Sequence, residues 1–125
     1  MNKFTRLFID ESRVYIPAIA AIVRRLSAGC PEELDLGEGR RLSHSIKGMA
    51  LYEQQTEIAV LTWAMECGFE RLSGNKPHGT LVVELASALA ILARMIDEVE
   101  EHGVPQADAS GIVAALEATT RIEEL

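Results

Sequence analysis

Arg41-Leu42-Ser43-His44-Ser45-Ile46-Lys47-Gly48-Met49-Ala50 is the stretch on which the fold and chemistry of this chain turn. At about 100° per residue it forms a helix with two unlike sides. Leu42, Ile46, Met49 and Ala50 group on the side that seeks a core. His44, Lys47 and Gly48, with Leu51 just beyond, group on the opposite side. An imidazole, an ammonium and a glycine thus share a face turned away from the core. Glycine inside a helix costs about 1 kcal/mol relative to alanine, and a solvated face gives no reason to accept that cost. Close packing against another helix would give one, as would clearance for a bulky group beside His44. Gly48 lies on the His44 face, so clearance is the better account, and the grouping suits a histidine that carries a phosphoryl group.

On either side of this stretch, breaks at Gly29-Cys30-Pro31, Gly37-Glu38-Gly39, Ser73-Gly74-Asn75-Lys76-Pro77 and His102-Gly103-Val104-Pro105 separate segments of helical length. The first helix is expected from about Lys3 to Ser27, with Phe4, Phe8, Tyr15, Ile19, Ile22 and Leu26 on its core stripe and a bend or brief break at Pro17. The second spans about Glu38 to Leu51 and extends at most toward Glu53. The third covers about Gln54 to Leu72 and buries Ile58, Leu61, Met65, Phe69 and Leu72, with Trp63, Glu66 and Glu70 on a neighbouring face. A fourth, Thr80 to about Glu101, buries Leu81, Leu85, Leu89, Leu92 and Ile96. A fifth, about Ala109 to Glu124, carries Ile112, Leu116 and Ile122. Short links make successive helices antiparallel neighbours, so the fold class is all-α: an up-and-down four-helix bundle with a fifth, C-terminal helix.

Composition agrees. The chain has 125 residues, enough for one domain with its own core. It is 48% apolar but only 5% aromatic, which favours helices over sheet. A net charge of −7 argues against a nucleic-acid partner and suits a basic one. Cys30 and Cys67 form no metal or disulfide motif and read as free thiols of a reducing, cytoplasmic setting. No apolar run is expected to reach membrane-spanning length, and Arg6, Asp10 and Glu11 replace the apolar core of a signal peptide. Inward Glu-x-x-His pairs of metal-binding bundles are absent from the sequence, as are a glycine-rich phosphate loop and a Mg²⁺-binding carboxylate cluster.

The stretch Arg41 to Ala50 resembles the signature of histidine-containing phosphotransfer (HPt) domains, and most closely that of the N-terminal phosphotransfer domain of the chemotaxis histidine kinase CheA. Phe8-Ile9-Asp10-Glu11-Ser12 resembles the aromatic-acidic opening of that family's first helix. Ala64-Met65-Glu66 falls where the family has a glutamate on the third helix, facing the phosphorylated histidine. The fourth helix, the turn from Gly103 to Ala107 and the fifth helix follow the same layout, so the likeness covers essentially the whole chain.

The resemblance implies a phosphotransfer module of a bacterial two-component, chemotaxis-like system. His44 would accept the phosphoryl group on one ring nitrogen. Glu66 would hydrogen-bond the other, Lys47 would offset phosphoryl charge, and Gly48 would leave room. The partners implied are the ATP-binding catalytic domain of a histidine kinase and the receiver domain of a response regulator, with Arg41, Ser45, Leu51 and Trp63 on the contact surface. ATP and Mg²⁺ would sit on the separate kinase core, leaving no cofactor in this domain. The domain by itself would be monomeric, and the chain, closing on Arg121-Ile122-Glu123-Glu124-Leu125, would belong to a longer multidomain kinase.

Four positions depart from the family pattern. Trp63 replaces a frequent second histidine and is expected to pack between helices; Leu51 stands at a usually small position; Glu53 and Gln54 replace an aromatic-glycine pair. They leave open an alternative function, a non-catalytic helical interaction domain that keeps the HPt fold without phosphotransfer. His78 and His102 read as plain surface residues.

Overall fold

A computed structural model describes residues 1–74 and 79–124, with side chains up to residue 120. It is all-helical, with no strand among the described residues. The helices are α1 (Lys3–Ser27), α2 (Asp35–Tyr52), α3 (Thr56–Gly74), α4 (Gly79–His102) and α5 (Ser110–Glu124). Helices α1 to α4 pack in a closed ring, each against its neighbours, and α5 lies across α3 and α4. The break expected at Asn75 to Pro77, His78 and the side chain of Ile122 fall outside the described residues.

Local chemistry sets the boundaries. Asn2 caps α1 by accepting a hydrogen bond from the Thr5 amide at 2.8 Å. The helix runs through Pro17 without interruption; proline removes one N–H from the ladder, and burial of Ile19, Ile22, Val23 and Leu26 beyond it holds the chain helical. It ends in a glycine turn: Gly29 takes φ +74°, and the Cys30 amide donates back to the Arg25 carbonyl.

Two expectations about α2 are corrected. The helix begins at Asp35 rather than Glu38, so Gly37 and Gly39 lie inside it and mark no break. Asp35, buried at the helix start, accepts the Glu32 amide at 2.8 Å and receives Arg25 of α1 in a two-pronged pair at 2.7 and 2.9 Å. Those hydrogen bonds, the Arg25 one foremost, hold its carboxyl below the ordinary value. Gly39 is a packing residue: a Cβ there would come within 2.6 Å of the Phe69 ring. At the other end α2 stops at Tyr52, and Gln54, not a glycine, takes the left-handed φ of 59°. The turn closes through the Gln55 amide on the Ala50 carbonyl at 2.8 Å, and the Thr5 hydroxyl fastens Glu53 to α1. So α3 starts at Thr56, two residues later than expected.

The expected core is largely present. Phe8, Ile19, Ile22, Leu26, Leu42, Ile46, Ile58, Leu61, Met65, Phe69 and Leu72 are buried, with the whole expected stripe of α4 and Leu116 of α5. Tyr15, Met49 and Ile112 are only partly buried against it, and Phe4 is exposed. By length and mean hydropathy (1.8) α4 is the one described helix apolar enough to cross a membrane, a correction to the sequence reading. The bundle itself uses that apolar stripe: Leu81, Leu85, Leu89, Leu92 and Ile96 are all buried in the core.

Candidate functional site

His44 sits midway along α2 with 61% of its side chain exposed. The flanking residues explain its stance. Ser43 is buried, its hydroxyl donating to the Gly39 carbonyl, and Leu42 and Ile46 anchor the opposite side of the helix. Nδ1 lies 3.2 Å from both carboxylate oxygens of Glu66 on α3. With Glu66 ionised, Nδ1–H donates and Nε2 keeps its lone pair. Nε2 has no hydrogen-bond partner among the described residues.

Glu66 is the least ordinary residue of α3. The sequence put it on a polar neighbouring face with Trp63 and Glu70; it is buried, while those two are exposed. Burial pushes its carboxyl pKa up, but hydrogen bonds from Lys47 and His44 outweigh that and leave it below the ordinary value. Lys47 Nζ lies 2.8 Å from Glu66 Oε1, and Arg40 Nη1 approaches Oε2 at 4.0 Å. Lys47, expected to offset phosphoryl charge, has only 20% of its side chain exposed, and its ammonium rests on Glu66 and 6.0 Å from the Trp63 ring centre.

Gly48 lies open. A Cβ there would meet nothing within 4 Å, so packing inside this chain does not require the glycine. It floors a shallow cleft of about 220 Å³ lined by Phe4, Leu7 and Phe8 of α1, Met49 and Tyr52 of α2, and Glu53 just beyond it. Phe4, Leu7 and Tyr52 are exposed, with Phe4 and Tyr52 edge-to-face at 6.1 Å. This apolar rim was missed in the sequence because Phe4 reads as core and Tyr52 falls on no apolar stripe; only their joint exposure reveals it.

The remaining candidates separate. Leu51 is exposed beside the cleft without lining it. Arg41 is paired to Glu38 on its own helix, and Ser45 donates to the Arg41 carbonyl at 3.1 Å, so neither reaches His44. Trp63, expected between helices, is 59% exposed and walls a cleft of about 460 Å³ between α3 and α5. Cys30 and Cys67 are free thiols, the latter pushed up in pKa by burial. No group of histidines, cysteines and carboxylates among the described residues could hold a metal ion. His102 is a surface residue near Glu101.

The bundle thus presents an outward histidine from its second helix, held through Nδ1 by a glutamate of the third. Among solved structures, the chain matches the phosphorylated P1 domain of CheA3 from R. sphaeroides, crystallised in complex with CheY6: TM-score 0.87, covering 98% of each chain at 19% identity. The chain therefore has the CheA P1 fold. No family model matches it, and no curated protein does.

Proposed function

We propose that the chain is a phosphotransfer module and that His44 is its phosphoryl carrier. The observation that carries this reading is the exposed imidazole with Nδ1 held by Glu66. Nε2 attacks the γ-phosphorus of ATP bound on a separate kinase core; the N–P bond forms, the bridging P–O bond breaks and ADP leaves. The imidazole acquires positive charge, which Glu66 stabilises through Nδ1–H. In the second step an aspartate carboxylate of a receiver domain attacks the same phosphorus, the N–P bond breaks and neutral His44 is restored. Nucleotide and Mg²⁺ belong to the kinase core, so this chain supplies position and charge only.

The partner side follows by likeness. The matched P1 domain was solved with CheY6, and we infer a receiver domain as acceptor here. It would dock over Gly48, the apolar rim of Phe4, Leu7 and Tyr52, and Leu51, all exposed on the His44 side of α2 and α1. From the same two proposed partners we infer a cytoplasmic setting and a longer histidine kinase as the parent protein. A mere interaction domain gives no reason for a buried glutamate shared between a histidine and a lysine.

The test is phosphorylation by a CheA-type kinase core with labelled ATP, beside His44→Gln. Acid-labile, alkali-stable label on the wild type alone is the expected result; absence of label with every competent core refutes the reading. Glu66→Ala should slow labelling about 10- to 100-fold, the worth of one charged hydrogen bond, with the fold intact. An unchanged rate would show that Glu66 does not tune the imidazole.

A further inference from the structure

Trp63 and Glu66 are three residues apart on α3, so indole and carboxylate stand one turn apart on neighbouring positions. Lys47 reaches across from α2 to both, 2.8 Å from Glu66 Oε1 and 6.0 Å from the ring centre. A lysine ammonium is strongly hydrated and normally turns to water. The Lys47 side chain as a whole is four-fifths covered. The carboxylate alone does not account for that, because Glu66 is already engaged by Nδ1 of His44 and approached by Arg40. The exposed indole supplies the second wall, its π face 6.0 Å from the cation.

We propose that Trp63 is a positioning residue: its ring holds the Lys47 ammonium on Glu66, one helical turn from His44, so that the cation is in place when phosphoryl charge arrives. The proposal rests on the phosphotransfer reading of His44. In the resting state the ammonium shares the Glu66 charge with the imidazole. When a phosphoryl group reaches Nε2, its oxygens outbid the shared carboxylate, and Lys47 moves off the ring toward them. A preplaced cation need not be gathered from solvent during the reaction. Without the ring, Lys47 spends more of its time in water and Glu66 loses part of its partner.

Three variants test this: Trp63→Phe keeps an aromatic face, Trp63→Leu keeps apolar bulk without one, and Lys47→Gln removes the cation. Trp63 is exposed, so the fold should survive, as melting curves would verify. By NMR of the unphosphorylated protein, the Lys47 methylene protons should be shifted upfield by the ring in wild type. That shift should persist in Trp63→Phe and vanish in Trp63→Leu. The Glu66 carboxyl, met from α2 by Arg40, His44 and Lys47, should titrate higher in Trp63→Leu and unchanged in Trp63→Phe. Labelling of His44 should slow about 2- to 5-fold in Trp63→Leu, the range of an exposed cation–π contact, recover in Trp63→Phe, and show no Trp63 dependence in a Lys47→Gln background. Lys47 resonances identical in wild type and Trp63→Leu would overturn the proposal, as would a Trp63→Leu loss that persists without Lys47. If wild type takes no label, the phosphotransfer reading falls, while the two NMR arms still decide whether Trp63 positions Lys47.

Discussion

Gly48 and Gly39 occupy the same helix, nine residues apart, and the structure assigns them opposite reasons to be glycine. Substituting alanine at Gly48 adds a methyl group that meets nothing within 4 Å. No contact is lost, and the unfolded chain becomes less free, so Gly48→Ala should stabilise the protein by about 1 kcal/mol. For a domain of this size that raises the melting midpoint by about 3–5 °C. The same substitution at Gly39 drives a methyl group to 2.6 Å from the ring of Phe69, which is fully buried and has nowhere to go. Overpacking of that kind costs about 1–3 kcal/mol, more than the helix gains, so Gly39→Ala should be a net loss.

Urea unfolding of the two variants beside wild type measures both. The functional half uses Gly48→Leu, whose side chain would fill the cleft between Phe4, Leu7 and Tyr52. If that space serves the incoming partner, transfer from phosphorylated His44 to a receiver domain should fall at least about tenfold, equivalent to about 1.4 kcal/mol, in a protein no less stable than wild type. Destabilisation by Gly48→Ala would refute the claim that this glycine is unpacked. Unchanged transfer in Gly48→Leu would refute clearance as its reason.

Two further outcomes follow from the fold. Hydrogen bonds from Arg13 and Arg6 hold the Glu100 carboxyl from 4.5 down to about 2; a depressed acid contributes stability fully above its unfolded pKa and loses it as pH falls through the folded one. Melting midpoints should therefore drop between about pH 5 and about pH 2 in wild type, and less steeply in Glu100→Gln; equal slopes would show that the α1–α4 pair is not felt. Gln54→Gly relieves a left-handed backbone at a cost in unfolded-state entropy, for a net gain of about 0.5 kcal/mol by thermal melting, and a loss of similar size would mean that the turn is not strained at Gln54.

The helices were legible because apolar residues recur at three and four in every segment, and burial follows that period from Phe8 to Leu116. His44 and Gly48 were legible for the same reason: position on α2 fixes which way each points. The start of α2 was not, because Gly37 and Gly39 carry the same letter as chain-breaking glycines, and only Phe69, thirty positions on from Gly39, reveals a packing role. The end of α2 was obscured for the opposite reason, a glutamine in a backbone conformation that glycine usually takes. Exposed Trp63 and Phe4 were misplaced because an aromatic at helical spacing reads as core whether or not a neighbouring helix covers it.

Glu66 shows why the site and the core must be read by different rules. Packing alone would favour an apolar residue there: its neighbours Ala64 and Met65 are buried, and a leucine in place of a carboxylate would cost no desolvation. Instead the chain buries an acid and satisfies it from a single neighbouring helix, with His44 at 3.2 Å and Lys47 at 2.8 Å. That arrangement fixes one tautomer of one exposed imidazole and keeps a cation within a turn of it. A structural ion pair needs only one of those partners. Both are present, with the imidazole mostly in solvent and the glycine beside it unpacked, a combination for which stability by itself gives no reason.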